Sequence, residues 1–252
     1  MLKRQNRLIL ATSIFLLFPT VTYGCSQGFM DNDSQLEEKV LNIIQENPKA
    51  ISAALQEQPN EQEQELQQQR SDFLQQIKNN PSSVIKDSPI AGSEDFQFVL
   101  VEFSDFQCPF CSQANESLKD FMSRNQNEVT LVYKHLPLND IHSEAMPAAE
   151  AAWAASQQGK FWEYHDALFE NQNTLGESLY LELAEQMELD IDKFNADREL
   201  ASEKISQDIE LAESLGIQGT PFFILNEEVF SGAVGLSELE TRLQRAKQHE
   251  GS

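Results

Sequence analysis

Cysteine, glycine and basic residues are all scarce in this chain, and each shortage counts against a class of protein. Three cysteines in 252 residues cannot support a small disulfide-stapled fold. The 10 glycines form no GxGxxG or GxxxxGK[ST] string, which argues against the common nucleotide-binding loops. The 18 basic residues face 41 acids, and a net charge of -23 repels nucleic acids and anionic membrane surfaces. The length allows one or two domains, each with a core of its own.

The first 24 residues have the pattern of an export signal. Three basic residues and no acid precede an apolar run over residues 8–18, and Gly24 is a small residue at a plausible cleavage point. The apolar run is too short to span a membrane comfortably. We therefore predict a signal peptide over residues 1–24 and a mature chain that is exported, periplasmic or otherwise extracytoplasmic.

Cys25 would be the first residue of that mature chain. A lipid-modified cysteine that anchors the chain to a membrane is one interpretation, and an unmodified thiol is the other. The preceding Thr22-Tyr23-Gly24 lacks the leucine typical of a lipoprotein signal.

Residues 25–93 differ in composition from the rest of the chain. Apolar residues recur at helical spacing, Pro48 interrupts them, and residues 55–76 contain nine glutamines in 22 positions. This segment has too little apolar surface for a core of its own. It is predicted to be a helical stalk that packs against a second copy; the alternatives are a solvated helix on its own domain and a flexible tether. Residues 79–83 resemble a hinge.

Residues 94–252 alternate between strand and helix patterns. Short apolar runs indicate strands, and apolar residues three and four apart indicate helices. The order is a strand at 98–103, a CxxC motif at 108–111, a strand at 129–133, helices over about 138–215, a hairpin at 221–230 and a helix at 236–246. This order predicts an α/β, thioredoxin-like fold with a helical insertion, preceded by an N-terminal helical extension.

The motif Cys108-Pro109-Phe110-Cys111 places two thiols at the predicted start of a helix. Pro109 suits the first helical position, so Cys108 is expected at the N-cap with its sulfur exposed. Free backbone N–H groups and the helix dipole there favour a thiolate and lower the pKa of Cys108. Cys111, one turn further, is placed to resolve a mixed disulfide.

Two other interpretations of the pair stay open. Half of a zinc site needs two more ligands, but Cys25 is remote in sequence and the four histidines show no paired spacing. A purely structural disulfide is the other alternative. The preceding strand and the following helix favour redox chemistry, so we expect no metal.

Two further positions are candidates for the site. Glu102 interrupts an apolar strand and is predicted to be a buried carboxylate with a raised pKa, able to accept the proton of Cys111; the alternative is an exposed strand position. Thr220-Pro221 opens a predicted strand, and a cis Pro221 would hold an extended backbone edge beside the disulfide. His135 is expected to be a loop histidine with a structural hydrogen bond, and Trp162 to pack the insertion.

At this point the sequence resembles the DsbA-like branch of the thioredoxin superfamily, a family of exported thiol–disulfide oxidoreductases. The matching strings are VEFSDFQCPFC (101–111), YKHLPL (133–138), AAEAAWAASQQGKFWEYHDALFENQ (148–172) and GIQGTPFFILN (216–226). The resemblance implies that Cys108 attacks, that Cys111 resolves, that Glu102 is the buried acid and that Thr220-Pro221 forms the cis-proline loop. It also implies that the protein has no bound cofactor. The strongest oxidants of the family carry histidine inside the motif, whereas Phe110 adds no charge.

The sequence therefore predicts an exported enzyme that forms disulfides in cysteine-containing client proteins through Cys108 and Cys111. A membrane or soluble redox partner would recycle the pair, and residues 25–93 would join copies of the chain. The first alternative is a reductase or isomerase with the same site. The second is a non-enzymatic helical scaffold whose CxxC is structural or binds metal.

Overall fold

The structure, a computed structural model, describes residues 30–250. The predicted signal peptide and Cys25 lie outside these residues. The chain divides into two compact units, one ending at Pro59 and the other beginning at Asn60. Within the described residues, no helix combines the length and the apolar character that crossing a membrane requires.

The described part of the first unit is helical. It contains α1 (Met30–Glu46) and the start of α2 (Pro48–Asn79), so the break predicted at Pro48 is confirmed. Five apolar side chains of α1 are 44–60% exposed although they recur at helical spacing: Leu36, Val40, Leu41, Ile43 and Ile44. Apolar side chains at such spacing normally cover a neighbouring surface.

The second unit is built on a five-stranded mixed sheet. Its strands are β1 (Ile90–Gly92), β2 (Phe98–Ser104), β3 (Val129–His135), β4 (Phe222–Leu225) and β5 (Glu228–Ser231). They are ordered β1-β3-β2-β4-β5, so β2 is central. Strand β2 runs parallel to β3 and antiparallel to β4. Every residue of β2 is buried, which explains why its sequence is a nearly continuous apolar run.

Helices cover both faces of this sheet. Beyond the first two, they are α3 (Pro81–Ile85), α4 (Pro109–Asn125), α5 (Ala145–Ser156), α6 (Phe161–Glu170), α7 (Glu177–Gln186), α8 (Ile191–Ser214) and α9 (Leu236–Glu250), with a short 3-10 turn at Gln172–Thr174. Helices α5–α8 lie between β3 and β4, so the predicted thioredoxin-like fold with a helical insertion is confirmed.

Alternation along β2 decides which side chains meet which helices. Phe98 and Leu100 pack with residues of α4 and α9 on one face. Val99, Val101 and Phe103 pack with residues of α2 and α8 on the other face. Glu102 and Ser104, two and four positions beyond Leu100, therefore belong to the face that α4 covers.

The boundary between extension and domain lies earlier than the sequence predicted. Phe73 and Ile77 of α2 are buried in the core beneath the sheet. The Nε of Arg70 donates to the carbonyl oxygen of Leu215 at 2.7 Å. Residues 60–93, assigned from sequence to the extension, therefore belong to the second unit, and their strand, β1, pairs with β3. A three-residue strand is too short to show a period, so sequence reasoning missed it.

Candidate active site

The CxxC motif lies at the start of α4, directly after the central strand. Cys108 is the N-cap residue, its side chain forms no capping hydrogen bond, and Pro109 is the first helical residue. Proline at this position needs no hydrogen bond from its missing N–H and has the backbone angle of a helix already. Cys108 and Cys111 are both free thiols in this structure.

The surroundings of Cys108 stabilise its thiolate. A hydrogen bond from the Cys111 thiol is the largest cause that lowers the pKa of Cys108, to about 5; burial opposes the shift. Thr220 and the backbone N–H groups of Cys111 and Phe110 lower the pKa further. These N–H groups belong to the first turn of α4, where they lack partners in the helix itself.

Cys108 is less accessible than the sequence predicted. The residue is only 4% exposed, whereas its neighbour Phe110 is 59% exposed. The carbonyl oxygen of Thr220 lies 3.4 Å from the Cys108 Sγ and accepts a hydrogen bond from it when the thiol is protonated. This loop, more than 100 residues away in the sequence, covers the sulfur, which explains why local sequence reasoning expected an exposed one.

Cys111 has the opposite character. It is fully buried, and burial raises the pKa of the Cys111 thiol far above its usual value, with the negative Cys108 adding to the effect. One sulfur of the pair therefore favours the thiolate and the other the protonated thiol. Such asymmetry suits a pair in which one thiol attacks and the other holds a proton.

Glu102 lies in the core behind the pair. It is 1% exposed, so the predicted burial is confirmed. Burial raises the pKa of the Glu102 carboxyl to about 7, and the Ser104 hydroxyl opposes the rise. A carboxyl group with this pKa can gain and lose a proton near neutral pH, as general acid–base catalysis requires.

Thr220-Pro221 lies against the first cysteine. The peptide bond between these residues is cis, as the sequence suggested. The Thr220 hydroxyl lies close enough to Cys108 to lower its pKa, although it forms no hydrogen bond of normal geometry. The structure thus brings together Cys108, Cys111 and the Thr220-Pro221 loop, with Glu102 behind them.

Two side chains that hold the active-site loop were not found from the sequence. The Asp105 carboxylate accepts hydrogen bonds from the backbone N–H groups of Gln107 and Leu138 and lies 2.7 Å from Nδ1 of His142. The Nε2 of Gln172 donates to the carbonyl oxygens of Phe106 and Cys108, at 2.7 and 2.9 Å. The helical insertion thereby fixes the backbone on which Cys108 lies. Gln172 is 64 residues from Cys108, so no local pattern reveals this contact.

A metal site was an alternative for the CxxC motif. Within residues 30–250, no group of three or more histidine, cysteine, aspartate or glutamate side chains is arranged to hold a metal ion. Cys25, the third cysteine, is not among these residues.

Comparisons with known proteins agree with this geometry. The profile of the DSBA-like thioredoxin domain matches residues 99–244, more than half of the chain. A thioredoxin-like oxidoreductase from Silicibacter pomeroyi is 31% identical, with a TM-score of 0.61 over 67% of this chain and 98% of that chain. The chain therefore belongs to the DsbA-like thioredoxin family, whose members are thiol–disulfide oxidoreductases. Because the members of this family are enzymes, the family assignment counts against the alternative of a non-enzymatic scaffold.

More distant structures share the fold alone. The thiol–disulfide exchange protein α-DsbA2 from Wolbachia pipientis is 22% identical, with a TM-score of 0.60 over 71% of this chain and 95% of that chain. A linker-deleted ScsC from Proteus mirabilis is 19% identical, with a TM-score of 0.59 over 89% of this chain and 99% of that chain.

Relatives described as Na(+)/H(+) antiporters also match part of the chain. A Na(+)/H(+) antiporter NhaA of Salinispora tropica is 37% identical over 160 residues, which is 62% of this chain and 24% of the antiporter. The chain thus spans about a quarter of the length of these relatives.

Proposed function

We propose that this chain is an exported protein thiol–disulfide oxidoreductase that donates the Cys108–Cys111 disulfide to client proteins. The observation that carries the proposal is the asymmetry of the two thiols, with Cys108 at the N-cap of α4 beside Thr220 and Cys111 fully buried one turn further. The pKa of Cys108 is lowered to about 5 and that of Cys111 is raised. A stabilised Cys108 thiolate is a good leaving group and favours the reduced pair, so the disulfide form is an oxidant.

The reaction follows from this asymmetry. A client thiolate attacks Sγ of Cys108, the bond between Cys108 and Cys111 breaks, and Cys111 leaves with the electron pair and takes up a proton. A second client thiolate attacks the client sulfur of the mixed disulfide, and Cys108 leaves as a thiolate. The client loses two electrons and two protons; Cys111 keeps one proton and the other goes to solvent.

The remaining site residues support these steps. Glu102 supplies the proton to Cys111 and accepts it in reverse. Thr220 stabilises the Cys108 thiolate, and Thr220-Pro221 offers backbone for an extended client segment. Pro109 starts the helix, and the exposed Phe110 gives an apolar contact beside the sulfur. Phe110 adds no positive charge, so we expect weaker oxidising power than in relatives with histidine there.

Cysteine variants test the function. Cys108→Ser should abolish both the oxidation of a reduced, unfolded client and the reduction of insulin disulfides. Cys111→Ser should instead accumulate mixed disulfides between Cys108 and clients, because the resolving thiol is missing. Cys25→Ser, the matched removal of the third thiol, should leave the rates unchanged. Retained activity in Cys108→Ser would overturn the proposal.

A reductase or isomerase with the same site is the second candidate. The chemistry of Cys108 and Cys111 is reversible, and its direction depends on the redox partner that recycles the pair. The absence of a charge at Phe110 is the observation that favours this candidate. Supplying purified protein in either redox state to a reduced client and to a scrambled client distinguishes net oxidation from isomerisation.

The proposals of export and of membrane anchoring rest on the sequence of residues 1–25. A related structure from Salmonella enterica is described as a periplasmic thioredoxin-like protein, 23% identical. We propose that residues 1–24 direct export and that Cys25 begins the mature chain. A lipid attached to Cys25 would then anchor the chain to a membrane. Mass spectrometry of the secreted or membrane fraction gives the first residue and any lipid mass. A protein that stays in the cytoplasm and retains residues 1–24 would contradict export.

We propose a second copy of the chain as the partner of the exposed face of α1. Leu36 and Ile43 are each 60% exposed, and the face lies in the predicted stalk. Leu36→Glu with Ile43→Glu should convert an oligomer of the mature chain to a monomer in light scattering. Leu200→Glu, a matched change at a 65% exposed leucine of α8, should not. A wild-type monomer would contradict the proposal.

A further inference from the structure

Four polar side chains form a patch in the core of the sheet. The strand register pairs Glu102 with Tyr133 and Ser104 with His135 across β2 and β3. All four are buried, with at most 3% exposed. Because residues two apart on a strand point to the same face, the four lie together on the face that α4 covers. This patch therefore lies behind the two cysteines.

Five polar side-chain atoms of this patch lack hydrogen-bond partners among the described residues. Oε1 of Glu102, Oγ of Ser104, the Tyr133 hydroxyl and both ring nitrogens of His135 form no hydrogen bond with any group that the structure describes. The same is true of Nε2 of His165, on α6. Buried polar groups are almost always paired with protein or with ordered water. This cluster of unpaired atoms behind a redox pair calls for a functional explanation.

Other buried polar groups show that the fold can satisfy such atoms. Lys134, one residue from His135, forms an ion pair with Asp208 at 3.1 Å. Asp105 has three partners. The unpaired atoms are concentrated instead on the face of β2 and β3 that carries Glu102.

Ser104 forms the inner end of the cluster. Its hydroxyl lowers the pKa of Cys111, of Glu102 and of Tyr133, so it lies close to all three groups. Its Oγ nevertheless forms no hydrogen bond of normal geometry with any of them. A small movement or one bridging water would therefore connect the Cys111 sulfur with the Glu102 carboxyl through Ser104.

His165 forms the outer end. Its ring centroid lies 5.2 Å from that of Tyr133 in a perpendicular contact. Its Nδ1 is 3.0 Å from Oδ1 of Asp166, whose side chain is 39% exposed and lies 3.1 Å from Nζ of Lys119. His165 and Asp166 also line an open cavity of about 280 Å³ beside α4. The cluster thus reaches solvent at this point.

We propose that Ser104 and His165 are positioning residues of a buried proton path that joins Cys111 to solvent. When the Cys108–Cys111 disulfide breaks, the Cys111 thiolate takes a proton through Ser104 from Glu102. Glu102 then regains a proton from bulk water by way of His165, His135 and Tyr133, and the Asp166 carboxylate accepts a hydrogen bond at the entrance of the path. In the reverse direction the proton leaves Cys111 along the same groups. No electron moves along the path.

The ionisation of the histidines suits this role. Burial lowers the pKa of His135 to about 3 and also lowers the pKa of His165, which Asp166 partly opposes. Both rings are therefore neutral near pH 7, and a neutral imidazole has one N–H donor and one acceptor nitrogen. The titratable and charged groups that face His165 are Asp166 on α6, Lys119 on α4, and Tyr133 and His135 on β3.

Single-turnover kinetics tests the path. This inference depends on the redox role of Cys111 but not on the direction of the proposed function. The pair is first reduced by dithiothreitol and then re-oxidised by glutathione disulfide, in H₂O and in D₂O, from pH 5 to 8. Samples are quenched with acid and alkylated, and their masses give the rate of re-oxidation. Ser104→Ala and His165→Phe should each slow exchange about tenfold at pH 7 and increase the solvent isotope effect, with an unchanged reduction potential. His165→Gln is the second variant should the first not fold.

Phe169→Leu is the matched control. The Phe169 ring also contacts His165, with centroids 4.9 Å apart, but carries no titratable group, so this variant should keep the wild-type rates and pH profile. Wild-type kinetics in both Ser104→Ala and His165→Phe would overturn the path. Equal slowing in Phe169→Leu and His165→Phe would show that His165 acts only through packing, which contradicts its place in the path. Slowing in Ser104→Ala alone would contradict the proposal that the path reaches solvent at His165. Failure of the wild type to oxidise any client would instead contradict the proposed function.

Discussion

Replacing Glu102 with glutamine should change the pH dependence of stability in a predictable direction. The carboxyl binds a proton more tightly in the folded state, because burial raises its pKa from 4.5 to about 7. Its contribution to stability is therefore complete below pH 4.5 and is lost as the pH rises through about 7. At 1.36 kcal/mol per pKa unit, ionising this buried group at pH 8 costs roughly 3 kcal/mol.

Glutamine removes this cost but adds one of its own. Its buried amide lacks partners, which costs about 1–3 kcal/mol at every pH. The informative quantity is therefore the stability of Glu102→Gln minus that of the wild type, which should be about 3 kcal/mol more favourable at pH 8 than at pH 4.5. Taking this difference also removes the contribution of Cys108, whose lowered pKa stabilises both proteins increasingly as the pH rises.

Urea denaturation of the two reduced proteins at pH 4.5, 6 and 8 measures this quantity. The same variant should slow thiol–disulfide exchange by roughly 10² if Glu102 carries the proton of Cys111. A stability difference that stays constant from pH 4.5 to 8 would refute the reasoning, because it would mean that Glu102 titrates alike in both states.

Three further predictions concern contacts around the site. Thr220→Val should raise the pKa of Cys108 by roughly one unit, seen in the thiolate absorbance at 240 nm, and make the pair ~30 mV more reducing; an unchanged titration would show that the hydroxyl is not involved. Gln172→Ala leaves two carbonyl groups of the active-site loop without their donor and should cost about 1–3 kcal/mol in urea denaturation, whereas an unchanged midpoint would contradict the insertion's role. Trp162→Phe breaks the 2.7 Å hydrogen bond to the carbonyl oxygen of Ile90 and should cost about 1 kcal/mol, with faster amide exchange in β1; protection equal to the wild type would refute this.

The parts of the fold predicted from sequence are those with strong local patterns. The buried strand before the motif, the proline at the helix start and the amphipathic helices of the insertion all follow from the spacing of residues. Cys108 at the N-cap of α4 and the buried Glu102 in β2 were both predicted in this way.

The parts that sequence reasoning missed depend on distant contacts. His135 was expected in a loop, but it ends β3, and its alternation with Tyr133 directs it into the core. Phe73 belongs to a thin apolar stripe of a glutamine-rich helix, and only the sheet that it covers shows that it is a core residue. The covering of Cys108 by Thr220 likewise requires two segments 112 residues apart.

The reduction potential of the Cys108–Cys111 pair tests the central claim most directly. Equilibrating the protein with mixtures of reduced and oxidised glutathione gives the potential from the fraction of oxidised pair. A disulfide donor with a Cys108 pKa near 5 should have a potential of around -120 to -180 mV, among the oxidases and isomerases. A potential of around -250 mV or lower would place the pair near thioredoxin and contradict the proposed direction of electron flow.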